Sequence, residues 1–525
     1  MSIIKVAPHT LLPTMSIMFI SMLLVLLVPL YLYLKASSRS KNTSVFPTNW
    51  PILHMFPSFM VNVHNLHDYL TMVLAGLGHN FRAHGPPGTG MRFFVTCDPA
   101  NVRHIFTTNY TNFPKGAEFA AIFDIMGGSL FTVDGEDAAA QRGKLKSVLS
   151  NPRMIASTEA CCRNKVENIL LPLLSYMASI GTPFDVQELM SRFMFDLATM
   201  SLFGVDPGLL SLDKPPMDAV VALNTVMEVG FFRHTMPASC WKLMRWLNIG
   251  PDRKLSTAHK VLRRFLMELM ERRKMEMMER KISTCHVGND EEQDGVDIMS
   301  SYPDYVDDDL SYAKNIGYML AARDTIGTTL TWVFYNLAQK PNIVSIIRSE
   351  LSPIASCKEA SGVDTMMIFE PHETKSPIYL RAVLYETLRL YPPAPFERKT
   401  VAANDIMPSG HEVRTGDTIL ISLYSLGRME GVWGNDCPDY NHDRWLSEDG
   451  NNLRYVPSHK FLAFNSGPRI CLGKEIAVMQ MKTVIASMLW NFDMEVMEGQ
   501  SIQPKPSCIL EMKNGLIVKL KKREM

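Results

Sequence analysis

Phe464-Asn465-Ser466-Gly467-Pro468-Arg469-Ile470-Cys471-Leu472-Gly473 is the stretch from which the rest of the chain is best read. One cysteine stands between two glycines, two residues after an arginine. Lys474-Glu475-Ile476-Ala477-Val478-Met479-Gln480-Met481-Lys482 follows and reads as a helix. A loop running into a helix N-terminus offers free backbone N–H groups and positive dipole potential, and both stabilise sulfur as a thiolate. Gly467 and Gly473 let the backbone approach something flat and bulky. A lone cysteine is more often a small buried hydrophobe, so the loop needs support from elsewhere in the chain.

The chain has 525 residues, 46% of them hydrophobic and 20% charged, which is enough apolar material for a large globular core. Lys+Arg and Asp+Glu both number 53, so no overall field draws nucleic acid, and any electrostatic partner must meet a local patch. Nine cysteines are scattered without CxxC pairs and are odd in number. That argues for a reducing compartment and against a disulfide framework or a zinc site. The 36 methionines are adaptable core filler and also suit the wall of a pocket for a greasy substrate.

Met15 to Leu34 is a run of twenty residues without a charge, long enough to cross a hydrocarbon core of roughly 30 Å. Lys35, Arg39 and Lys41 follow it, which places the remainder of the chain in the cytosol. A cleaved signal peptide is the rival reading; the length of the run and Lys35 stand against it. The expected organisation is a short segment 1–14, a transmembrane anchor 15–34, a basic, proline-rich linker 35–59 holding Pro47, Pro51 and Pro57, and one catalytic domain 60–525. Helical periodicity dominates from about residue 60, broken by β-rich pieces at Met91 to Thr96 and Thr418 to Tyr424. The fold class expected is mainly α with a small β portion (α+β). Leu262 to Lys281 reads as an amphipathic surface helix and Gly288 to Gly295 as an exposed acidic connection.

Two further segments bear on the cysteine loop. Leu310 to Leu337 is a long apolar stretch behind Asp307-Asp308-Asp309, which can complement a helix dipole. It contains Ala321-Ala322-Arg323-Asp324-Thr325-Ile326-Gly327, where an acid beside a hydroxyl in mid-helix is costly unless hydrogen-bonded. A threonine turned onto its own backbone there can open the helical ladder. Glu386-Thr387-Leu388-Arg389 puts two charges on one helical face ahead of Pro392-Pro393, and His442-Asp443-Arg444-Trp445 comes later. Alone, each reads as a structural polar pair or a surface ion pair.

Together these motifs resemble the cytochrome P-450 family. Phe464, Gly467, Arg469, Cys471 and Gly473 fill every defined position of its haem loop, Phe-x-x-Gly-x-Arg-x-Cys-x-Gly. The resemblance implies a cytochrome P-450 fold, heme b with Cys471 as axial ligand to the iron, and electrons from NADPH through NADPH-cytochrome P-450 reductase. It implies a single-pass protein of the endoplasmic reticulum membrane that hydroxylates a hydrophobic substrate with dioxygen. By position, Thr325 is the distal threonine and Asp324 the acid feeding its proton relay, with Ala322 and Ile326 departing from the usual Gly and Thr. Glu386, Arg389 and Arg444 match the scaffold triad. Arg469, Arg142 and either Arg398 or Lys399 are the expected propionate cations, whereas Ala138 takes the place of a usual tryptophan. Lys144, Lys146, Lys460 and Lys474 read equally as solvated surface lysines or as a basic rim that docks an acidic reductase. Phe119, Ile122, Phe123, Ile125 and Met126 fall in the family's substrate loop and suit a greasy substrate and a plain core cluster equally; Phe119, Ile122 and Phe123 with Ala321, Ala322 and Ile326 are the expected pocket.

Ala-x-Arg-Asp-Thr, Ser409-Gly410-His411 and Arg428-Met429-Glu430-Gly431-Val432-Trp433-Gly434 resemble the plant branch of fatty-acid ω-hydroxylases and mid-chain alkane hydroxylases. A long-chain aliphatic substrate is therefore expected first. Pro393-Ala394-Pro395-Phe396-Glu397 also looks like phenol-coupling members of the alkane-hydroxylase group, which makes oxidative phenol coupling in alkaloid synthesis the runner-up. A haem protein acting without a reductase is the alternative from another class.

Overall fold

The computed structural model describes residues 46–287, 297–300, 309–360 and 366–523. The helices that position the site are α1 (Gly135–Leu149), α2 (Val186–Phe203), α3 (Asp218–Thr235), α4 (Gly250–Val287), α5 (Asp309–Ala338), α6 (Ile378–Leu390) and α7 (Lys474–Asn491). Their boundaries follow local chemistry. The Asp185 side chain accepts from the Gln187 N–H and caps α2, which ends at Gly204 in the left-handed region with φ 71°. Asp309 sits in the first turn of α5, where its charge complements the dipole. Tyr391-Pro392-Pro393 stops α6, because the residue before a proline is pushed out of helical geometry. The amphipathic stretch read at Leu262 to Lys281 lies inside α4, and the β-rich pieces are the strands Arg92–Thr96 and Thr418–Ser422.

α2, α5, α6 and α7 share the largest core, in which Phe193, Leu330, Phe334, Leu384 and Val484 are buried. Each such side chain stabilises the fold by roughly 1.5–3 kcal/mol relative to exposure. α5 and α2 pack closely at Gly327, where a Cβ would sit in van der Waals contact with the Met190 carbonyl oxygen at 3.6 Å. A second core packs the segment holding Phe119 to Met126 against α3, α4 and the first half of α5.

The strands are β1 (Asn80–His84), β2 (Arg92–Thr96), β3 (Phe184–Asp185), β4 (Phe396–Thr400), β5 (Asp405–Ile406), β6 (Glu412–Val413), β7 (Thr418–Ser422), β8 (Phe492–Val496) and β9 (Ile517–Lys522). They form a four-stranded sheet in the order β1-β2-β7-β4, a three-stranded sheet β3-β9-β8 and a hairpin β5-β6. β2 and β7 run parallel with Phe93 opposite Thr418, and β4 runs antiparallel to β7. Among the described residues no helix is long and apolar enough to cross a membrane. The Met15 to Leu34 run and the Gly288 to Gly295 connection lie outside the described residues.

Candidate active site

The cysteine loop is held from both ends. The Cys471 N–H donates to the Phe464 carbonyl at 2.8 Å, and α7 begins three residues later. Gly467 has φ 58°, and a Cβ there would collide with the Phe106 carbonyl oxygen, so no other residue fits without moving the backbone. Gly473 differs: a Cβ there would meet nothing within 4 Å, and the residue lies on the wall of a cavity of about 430 Å³. Cys471 and Phe464 share that wall, and Ala321, Ala322, Thr325 and Ile326 of α5 also line the cavity. Enclosure by these walls pushes the Cys471 thiol up, while the Gly473 N–H and the charges of Arg142 and Lys474 pull it back.

The cations gather on one side. Arg469 donates to the Tyr110 hydroxyl (3.1 Å), the Val133 carbonyl (2.5 Å) and Asp134 Oδ1 (2.8 Å). Arg142 donates to the Ile470 carbonyl, and both arginines line the cavity. Strand alternation separates the two residues between which the sequence could not choose. Arg398 turns to Glu118 Oε2 (2.6 Å) and Thr418 Oγ1 (3.1 Å), whereas Lys399 shares the face of Glu397, which is on the wall. Lys399 itself is buried just behind that wall, its Nζ 3.7 Å from Glu397 Oε2 and 5.0 Å from the centre of the Phe106 ring. No motif flagged Lys115, yet it lines the cavity and donates to the Phe131 carbonyl at 2.6 Å. Its ammonium lies 4.8 Å and 4.5 Å from the Phe119 and Phe131 ring centres, and burial pushes its pKa down to about 7.

On α5 the Thr325 hydroxyl donates to the Ala321 carbonyl one turn earlier, at 2.8 Å. Asp324 does not join it on the cavity wall. Its carboxylate is buried and takes a 2.5 Å bond from Arg323, which also reaches Asn224 of α3 and Ser191 of α2. Burial outweighs Arg323 and raises the Asp324 carboxyl to about 6. Phe119, Ile122 and Phe123 are likewise absent from the wall. Phe131 fills that place, with the Phe119 and Phe123 rings packed behind it at 5.4 Å and 5.1 Å. Arg233 fixes this loop from α3 by donating to the Ile122 carbonyl and to Asp124, both at 2.8 Å.

Glu386, Arg389 and Arg444 do meet. The fully buried Glu386 carboxylate accepts from Arg389 Nε (2.7 Å) and Nη2 (2.8 Å), Arg444 Nε (3.1 Å), Trp445 Nε1 (2.9 Å) and the Asn441 N–H (2.7 Å). Trp445 stacks edge-on against Phe461 at 4.6 Å, and Phe461 adjoins Phe464 at 6.5 Å. One charged knot thus reaches the cysteine loop through three aromatic rings.

A thiol, a loop glycine open to the cavity, cations on one side and apolar helix on another are chemically suited to a flat, iron-bearing group with acidic edges. The comparisons with known proteins agree. The family model described as cytochrome P-450 matches residues 45–520. Noroxomaritidine synthase 2 of Narcissus aff. pseudonarcissus MK-2014 is 36% identical over 490 residues, covering 93% of this chain and 94% of that protein. Alkane hydroxylase MAH1 of Arabidopsis thaliana is 34% identical over 500 residues, covering 95% and 97%. The chain belongs to the cytochrome P-450 family of haem-iron monooxygenases, oxidoreductases supplied with electrons by a partner reductase.

Proposed function

We propose that this chain hydroxylates a long-chain aliphatic substrate, an alkane or a fatty acid, using dioxygen and electrons from NADPH delivered by NADPH-cytochrome P-450 reductase. One observation carries the reading: Cys471 and Thr325 line a single cavity whose remaining wall is largely apolar, from Leu145, Leu149, Leu202 and Ile298 to Ala322 and Ile326. Heme b would be held by Cys471 as thiolate ligand, on a loop shaped by Phe464, Gly467 and Gly473, with Arg142, Arg469 and Lys115 as the cations for its propionates and Lys399 adding its charge from behind the wall. When bound, it supplies reductive activation of dioxygen, the chemistry no side chain here can perform.

The chain's own residues do the rest. The Thr325 hydroxyl holds a proton at the cavity wall and passes it to the reacting centre, while Asp324, whose carboxyl burial raises to about 6 and so brings close to neutral pH, takes up and replenishes that proton once Arg323 lets go of it. The Ala322 methyl narrows the groove beside Thr325, and the apolar walls exclude water and select a hydrophobic chain. Met15 to Leu34 anchors the protein in the endoplasmic reticulum membrane with the catalytic domain, 60–525, in the cytosol. Lys144, Lys146, Lys460 and Lys474 dock the reductase.

Oxidative phenol coupling is the second reading. It is favoured by the 36% identity to a protein named noroxomaritidine synthase and by the aromatic group of Phe119, Phe123, Phe131 and His234 next to the cavity. Microsomes carrying the protein and reductase, given NADPH with an alkane, a fatty acid and a diphenolic amine, separate the two by mass spectrometry. Oxidation of an aliphatic chain is expected; oxidation of the phenol alone would overturn the first reading in favour of the second.

A further inference from the structure

The charge balance of the cavity is lopsided in a way that haem propionates do not account for. Among the described residues its wall carries four cations, Lys115, Arg142, Lys314 and Arg469, and one carboxylate, Glu397. Lys115, Arg142 and Arg469, with Lys399 behind them, form one group whose charges bear on one another, and Asp134 and Glu397 belong to the same group. Lys314 stands apart from it. It projects from the first half of α5, on the face that Gly317, Tyr318, Ala321, Ala322 and Thr325 present to the cavity at helical spacing. Among the described residues it has no hydrogen bond and no ion pair. A half-buried ammonium on the wall of a largely apolar chamber keeps its donors free for a group that enters the chamber, and a carboxylate is the partner that suits it best.

We propose that Lys314 receives the carboxylate of an amphipathic long-chain acid and thereby sets which carbon of the chain is presented to the reacting centre. The inference rests on the hydroxylase reading above and narrows it from neutral alkane to anionic acid. Lys314 and Thr325 are eleven residues apart, about 16 Å along the axis of α5. With C–C bonds of about 1.5 Å in an extended zigzag, that distance spans roughly a dozen carbons, so acids of about twelve to sixteen carbons fit with oxidation near the far end. Leu145, Leu149, Leu202 and Ile298 line the same cavity and give an acyl chain apolar surface. The same charge count opposes a cationic amine, the class to which a diphenolic alkaloid precursor belongs.

The test is optical titration of the full-length haem-loaded protein in membranes with dodecanoate, its methyl ester and dodecylamine. The acid is expected to bind about tenfold tighter than the ester, the size of one charge-assisted hydrogen bond. Lys314→Gln removes that preference, Lys314→Arg keeps it, and Lys314→Glu transfers it to the amine. The carbon-monoxide spectrum serves as the check that each variant is folded and loaded. Mass spectrometry of the products gives a second readout, because loss of the anchor spreads oxidation over several carbons. A Lys314→Gln protein with a normal spectrum and an undiminished preference for the acid overturns the proposal and leaves the hydroxylase reading standing. A wild-type protein without a thiolate-haem spectrum overturns both.

Discussion

Replacing Glu386 by glutamine removes a single charge from the most heavily bonded carboxylate in the site's scaffold. Five donors converge on its two oxygens, from Arg389, Arg444, Trp445 and the Asn441 backbone. Arg389 is itself buried and spends its remaining N–H groups on the carbonyls of Gly427, Cys437 and Asp439, so it cannot swing out to water. Breaking a buried ion pair by neutralising one partner costs about 3–5 kcal/mol. The new amide also sets a donor against donors of Arg389 or Trp445, which adds about 1–3 kcal/mol. A total of about 4–8 kcal/mol is a large share of a typical net stability of about 5–15 kcal/mol, so Glu386→Gln should unfold at a much lower urea concentration. Its effect should reach the cysteine loop through Trp445, Phe461 and Phe464. Urea unfolding followed by tryptophan fluorescence measures the first consequence, and haem retained per mole of protein measures the second. A variant within about 1 kcal/mol of the parent and fully loaded with haem would refute the scaffold role of the triad.

The two loop glycines should respond oppositely to alanine or valine. Gly467→Ala puts a Cβ into the Phe106 carbonyl at a positive φ, so it destabilises even the haem-free protein, by more than the 1–2 kcal/mol of the left-handed conformation alone. Gly473→Val meets open cavity and should leave the unfolding of haem-free protein within about 0.5 kcal/mol while weakening haem uptake, read by apoprotein titration. Asp324 carries a pH signature. Its folded pKa of about 6 lies above the ordinary 3.8, so between those values the native state holds a proton that the unfolded chain has lost. Stability from this group therefore falls as pH rises from about 4 to about 6, by up to about 3 kcal/mol, and is constant above that window. Denaturant midpoints across this range should flatten in Asp324→Asn; an unchanged slope would contradict the raised value.

The parts of the site legible in the sequence were those whose chemistry is local. The cysteine loop, the start of α7 and the span of α5 follow from glycines, an acid at a helix head and apolar periodicity within a few residues of one another. The Glu386, Arg389 and Arg444 knot could be read only by resemblance, since nothing in the spacing of a Glu-x-x-Arg says that it is buried. Lys115 and Lys314 escaped notice because no motif marks them. Lys115 reaches the cavity from a loop more than three hundred residues before Cys471, and Lys314 is one of several polar residues scattered along α5. Phe119 and Phe123 fall by position in the family's substrate loop and suit a pocket or a core cluster equally; Phe131 shields them from the cavity. The resemblance makes Asp324 the acid feeding the Thr325 relay, but nothing in the sequence says that its carboxylate turns away from the cavity to its immediate neighbour Arg323. Both outcomes turn on which way a side chain packs once three helices meet, and periodicity does not carry that information.

The central claim is that Cys471 binds haem iron as a thiolate. The most direct measurement is the absorption spectrum of the reduced, carbon-monoxide-bound full-length protein beside that of Cys471→His. The parent should show the red-shifted Soret band of a thiolate-ligated haem, and the variant should lose that shift while still taking up haem. A parent spectrum without the red shift, or a variant that keeps it, would contradict the account at its root.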